Sequence, residues 1–181
     1  MQPEHRVGAG GRAIYHGKLS LAEAEARLRR FWHPYHQTQG ALVEAARESH
    51  GQALLIDCHS MPHEAIEAHC RPGQRRREIV LGDRYGAAAG REAMDRVEAA
   101  FAGAGLRVAR NAPFAGAHVT QAYGRPSRGV HVVQVEIDRA LYMDELRVEP
   151  LPGFAALREL LAGVVARIIA EAGGEQRLAA E

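Results

Sequence analysis

Residues 129–139 read Gly-Val-His-Val-Val-Gln-Val-Glu-Ile-Asp-Arg, and this segment constrains the fold more than any other. It is rich in β-branched residues and alternates with period two from Val130 to Ile137, which predicts a strand. The alternation puts Gln134, Glu136 and Asp138 on one face and His131, Val133 and Val135 on the other. Three further apolar runs predict strands at 53–56, 78–81 and 106–108. Between them lie helical patterns. Ser20-Leu21-Ala22-Glu23 is a capping box opening a helix that reaches toward Gly51, with Pro34 kinking it or restarting it at a first-turn position. Met94, Val97 and Phe101 mark a helix over about 88–104, and Phe154 to Ile169 carry an apolar stripe over about 153–172. Strands alternating with helices predict an α/β protein with a mixed central sheet flanked by helices. The remainder reads as a flexible lead-in over 1–18, one domain over 19–172 and a frayed tail over 173–181.

Composition narrows the function. A formal net charge of +1 over 181 residues gives no global attraction to nucleic acid or to an anionic membrane. No apolar run approaches the ~18 residues of a membrane span, and no leader peptide is visible. Two cysteines, Cys58 and Cys70, make no disulfide framework, so a reducing, cytoplasmic setting is expected. The natural partner of such a chain is a small molecule.

Ligand sites in open α/β sheets gather at the carboxyl ends of strands. Asp57-Cys58-His59-Ser60 follows the run at 53–56, where the chain is expected to leave the sheet. A neutral imidazole at His59 can hold Zn²⁺, and Asp57, on the same side of an extended chain, can ligate or orient it. The competing reading is a His that caps the strand. Glu136 on a core strand is costly unless paired or used, and it suits a general base beside a metal. Its competing role is an ion pair with Arg139. Residues 111–129 read as a long loop without periodic structure, which contributes Arg125 as a fork donor for a substrate carboxylate, with His118, Thr120 and Tyr123 as pocket residues. His63 to Cys70 lacks the His spacing of a zincin helix and reads as a solvated short helix or loop. His33 and His36 read as packing groups, and Arg75-Arg76-Arg77 as a surface run.

The ordered set of motifs resembles the N-formylglutamate amidohydrolase (deformylase) family. The matching pieces are Trp32-His33-Pro34-Tyr35-His36, Leu55-Ile56-Asp57-Cys58-His59-Ser60, Gly82-Asp83-Arg84-Tyr85-Gly86, Asn111 to Gly124, Gly129 to Glu136 and Tyr142-Met143-Asp144-Glu145. They extend over about residues 12–147. The resemblance implies a fold related to the zinc carboxypeptidases (phosphorylase/hydrolase-like). It implies a zinc-dependent hydrolase converting N-formyl-L-glutamate and water to formate and L-glutamate in histidine degradation. In that pattern His59 is a metal ligand and Glu136 the catalytic carboxylate. The family's Phe-Lys/Arg-Gly-Gly pattern reads Phe114-Ala115-Gly116-Ala117 here. The family's other ligands lie in a front segment with a His-Ala-Gly motif, which this chain is expected to lack, His5 and His16 standing in a different context. The alternative is an inactive or incomplete member that acts as a binding module or fragment.

Overall fold

The computed structural model describes residues 15, 17–69, 73 and 76–178, with 173–178 described by backbone alone. His5, His16, Cys70 and Arg75, most of the lead-in and the end of the tail lie outside the described residues. The chain divides into two compact units, Met1–Leu42 and Val43–Glu181.

In the first unit, helix α1 (Leu21–Arg27) begins as its sequence dictates: Glu23 N–H donates to Ser20 Oγ at 3.1 Å. One π-helical stretch (Leu28–Trp32) then leads into α2 (His33–His50). Pro34 is the second residue of α2 and follows the π-helical stretch directly, so it lies inside one continuous helical run rather than at a fresh first turn. The Trp32 ring meets His33 and His36 with centroids 5.0 and 4.3 Å apart, so both imidazoles pack as expected. Leu21 of α1 and Leu28 and Phe31 of the π-helical stretch are exposed.

The second unit is built on a mixed four-stranded sheet of order β1-β4-β2-β3. Its strands are β1 (Ala53–Met61), β2 (Ile79–Gly82), β3 (Val108–Arg110) and β4 (Val130–Asp138). β4 runs parallel to β1 and antiparallel to β2, and β2 runs parallel to β3. Between them lie the short α3 (His63–Glu67), α4 (Arg91–Gly103) and the one-turn α5 (His118–Tyr123). A two-stranded ribbon of β5 (Met143–Asp144) and β6 (Glu149–Pro150) precedes the long α6 (Phe154–Leu178).

The predicted facing of β4 holds. Val133 and Val135 join Ile79 and Leu81 in a core closed by Met94, Val97 and Phe101 of α4 and by Val164 and Ile168 of α6. The other face carries a smaller core of Met61, Ile66 and Val80 with Phe114 against it. Ile66 anchors α3, so the segment after Pro62 is a packed helix rather than only a solvated one.

Two expectations are corrected here. β1 does not end at residue 56: its ladder with β4 continues in register to Met61 opposite Asp138. A partner strand of equal length satisfies the backbone through 57–61 whatever the side chains are. Segment 111–129 is also not a structureless loop. It holds α5 and a 3-10 turn at Pro126–Arg128.

Candidate active site

Two registers assemble the site. Asp57 lies beside Gln134 and His59 beside Glu136 across the parallel β1–β4 pair. Val80 and Gly82 of β2 flank Glu136 and Gln134 on the other side. Paired residues share a face, so Asp57, His59, Gln134 and Glu136 form one polar patch on the sheet face opposite α4 and α6.

Glu136 is 8% exposed, and Gln134 is buried beside it. Gln134 Nε2 donates to Glu136 Oε1 at 2.7 Å. Its own Oε1 accepts the Ala117 N–H, also at 2.7 Å, which assigns the amide orientation. Thr120 Oγ1 donates to the Ala117 carbonyl at 2.7 Å. A chain of contacts thus runs from α5 to the carboxylate. Burial raises the pKa of Glu136, the nearby His59 and the Gln134 hydrogen bond oppose that rise, and Asp57 adds to it. The result is a carboxylate with increased proton affinity, as a general base requires.

Asp57 and His59 converge at the same place. Asp57 Oδ2 is 3.1 Å from His59 Nε2. Asp57 Oδ2 is buried and accepts no hydrogen bond. A buried carboxylate oxygen left orphaned is costly unless something else satisfies it. With an imidazole nitrogen beside it, the chemistry of this donor pair fits a divalent metal such as zinc. No group of three His, Cys, Asp or Glu side chains suited to a metal occurs among the described residues. Catalytic zinc uses about three protein ligands, and this pair offers two donors.

The remaining predicted residues are placed as follows. Thr120 is buried and its hydroxyl bonds the Ala117 carbonyl. His118 starts α5 and Tyr123 ends it. Arg125 donates to the carbonyls of Gln121 and Gly124, and its backbone bridges Val130 at the start of β4. Six residues of strand separate Val130 from Glu136, on the order of 20 Å. The structure therefore does not bring Arg125 to Glu136. Arg139 makes no ion pair with Glu136. It donates to Ser60 Oγ at 3.2 Å and faces Glu145 at 3.5 Å.

Other groups near the site were not singled out for it by their residue pattern. Buried Asp138, one repeat beyond Glu136, meets His63 Nδ1 at 2.8 Å, and Arg76 meets His63 Nε2 at 2.9 Å. Arg84 and Tyr85 after β2 and Asn111 after β3 adopt left-handed backbone conformations, with φ of 55°, 56° and 57°. For Arg84 and Tyr85 this costs about 1–3 kcal/mol each, whereas asparagine adopts it more readily. Asn111 holds the turn: its Oδ1 accepts from Asp83 N at 3.0 Å, and its Nδ2 donates to Asp83 Oδ1 at 2.8 Å. A separate apolar cavity of about 610 Å³, lined by Leu54, Ile56, His131 and Ile168, lies on the opposite face of β1.

The sequence profile of the N-formylglutamate amidohydrolase family matches residues 3–143. The chain belongs to the N-formylglutamate amidohydrolase family. It is similar to the crystal structure of N-formylglutamate amidohydrolase from Ralstonia eutropha JMP134, with 33% identity and a TM-score of 0.78. That match covers 92% of this chain and 59% of the Ralstonia one. A gene product of Agrobacterium tumefaciens shares the fold at 20% identity and a TM-score of 0.62, over 92% of this chain and 61% of its own. The chain thus spans about three fifths of these amidohydrolase-fold structures. No curated protein sequence matches it. Among the described residues no helix is long and apolar enough to cross a membrane.

Proposed function

We propose that this face of the sheet is the catalytic face of a metal-dependent hydrolase acting on an N-formyl amino acid, N-formyl-L-glutamate in the first instance. The observation that carries the reading is the Asp57–His59 donor pair set one strand away from the buried Glu136. Asp57 and His59 would hold zinc, together with a further ligand. Zinc, when bound, supplies Lewis acidity toward the formyl carbonyl and lowers the pKa of water.

The protein's own contribution is then proton management. Gln134 fixes Glu136 Oε1 and leaves Oε2 to take a proton from the attacking water. As the C–N bond breaks, that proton passes from Glu136 to the amine nitrogen, giving formate and the amino acid. Burial keeps competing solvent away from Glu136 and raises its basicity toward what the step needs. A small dicarboxylate substrate suits a protein with little net charge and no nucleic-acid stripe.

A second reading is favoured by one observation. With two donors rather than three among the described residues, the chain suits an incomplete site that binds the amino acid without turning it over. Formate release separates the two. The full chain with added zinc should liberate formate from N-formyl-L-glutamate, and Glu136→Gln should stop it. Absence of release from well-folded, zinc-loaded protein would sink the hydrolase reading.

A further inference from the structure

The proposed substrate carries two carboxylates, yet Arg125 is spent on backbone carbonyls far along β4. Another guanidinium is better placed. Arg84 stands two residues beyond Gly82, which lies opposite Gln134. A Cβ at Gly82 would strike Gly116 N at 2.6 Å and the Ala115 carbonyl carbon at 2.7 Å, so segment 115–116 lies directly on the site face of β2. Arg84 N–H donates to Ala115 O at 2.6 Å. Its Cγ is 3.2 Å from where a Cβ of Gly116 would be, so the stem crosses Gly116. The next residue is Ala117, which holds Gln134, which holds Glu136. The stem of Arg84 is thus separated from the catalytic carboxylate by one short chain of contacts.

Arg84 is half-buried, and no carboxylate among the described residues pairs with it. Other arginines of this unit are engaged: Arg107 with Glu78, Arg110 with Asp95 and Glu98, and Arg139 with Glu145. Its backbone is also strained, with φ of 55°, a conformation that glycine or asparagine adopts at far less cost. Asn111 and Asp83 hold that turn by hydrogen bonds. Strain kept in place by its surroundings is characteristic of ligand clamps. A partly desolvated guanidinium without an acid is built to receive one, and its planar fork matches a carboxylate.

We propose that the Arg84 guanidinium binds a carboxylate of the acyl amino acid and so positions the formyl group over Glu136. This rests on the function proposed above. It makes Arg84 a specificity-determining residue for dicarboxylic substrates.

The test uses the full chain and two variants. Arg84→Gly removes the guanidinium and suits the left-handed backbone, so its melting temperature should not fall. Arg84→Lys keeps the charge without the fork. The readouts are KM and kcat for N-formyl-L-glutamate, and binding of L-glutamate followed by NMR, which needs no turnover. Arg84→Gly should raise KM about tenfold or more with kcat within about twofold, and weaken L-glutamate binding in parallel. Arg84→Lys should fall between. Turnover by the wild type with KM unchanged in Arg84→Gly overturns the role of Arg84 alone. L-glutamate binding that Arg84→Gly abolishes, in a wild type without turnover, supports Arg84 and overturns the hydrolase reading. A wild type that neither binds nor cleaves overturns both.

Discussion

Gln134 donates to the Glu136 carboxylate at 2.7 Å from two positions earlier on the same strand, and both side chains are buried. The amide is itself held by the Ala117 N–H, so the acid is oriented by a group that cannot move without releasing a second contact. This coupling makes Glu136 the natural first target.

Glu136→Gln should lower formate release by about 10²–10⁴-fold, the usual contribution of a positioned general base. The same substitution should raise thermal stability at neutral pH. Burial raises the folded-state pKa of Glu136, so the folded protein holds this proton more tightly than the unfolded chain does. The stability this group contributes is present below its unfolded pKa and is lost as pH rises through the raised folded value. The advantage of the variant should therefore shrink on acidification toward the ordinary carboxylate range. Melting curves across pH for both proteins measure it, and a variant less stable at pH 7 would contradict it.

Metal binding should depend on β1. His59→Ala should weaken zinc binding by more than the ~10–100-fold that follows loss of a supporting outer partner. Asp57→Asn should also weaken it, because it neutralises the orphaned buried oxygen. Titration calorimetry with zinc alone reads both. Equal affinity in wild type and His59→Ala would remove His59 from the site.

Gly82→Ala should disturb the site without altering a polar side chain. The new methyl would meet backbone atoms of residues 115 and 116 at 2.6–2.7 Å, which no side-chain rotation relieves. Overpacking of this kind costs about 1–3 kcal/mol. It should also push Ala117 from Gln134 and reduce kcat. Denaturant melts and kinetics together check this, and full activity with unchanged stability would show that the segment yields freely.

A second pH effect lies on the other face of the sheet. His131 Nδ1 accepts the Gly90 N–H at 3.0 Å, at the start of α4. Burial lowers its pKa from 6.5, Arg96 adds to the lowering and Glu92 opposes it. A depressed imidazole pKa means stability present above the unfolded value and lost as pH falls from there through the folded value. Stability should thus decline as pH drops below about 6.5, and His131→Asn should flatten that decline. Parallel slopes in the two proteins would exclude His131 as its source.

Much of this was legible in residue order. The alternation of Val130 to Asp138 placed Gln134, Glu136 and Asp138 on one face before any coordinates, because a strand's side-chain period is a local property of the backbone. The stripes of α4 and α6 and the cap at Ser20 are local in the same sense. Asp57 and His59 could be grouped because they are two apart on an extended chain. What local pattern could not supply is register. That His59 lies beside Glu136 is set by a ladder between segments more than seventy residues apart in sequence. That same ladder extended β1 through Met61. The assignment of arginines was equally non-local: Arg125 and Arg84 are both fork donors in Gly-rich surroundings, and only the folded path of segment 111–129 put one at the start of β4 and the other against Gly116. Sequence alone determined which candidate side chains the chain carries for proton transfer, metal and carboxylate, and which face of its strand each strand residue occupies. Tertiary structure alone decided which of them meet, because strand pairing and close backbone approach depend on contacts that no window of sequence contains.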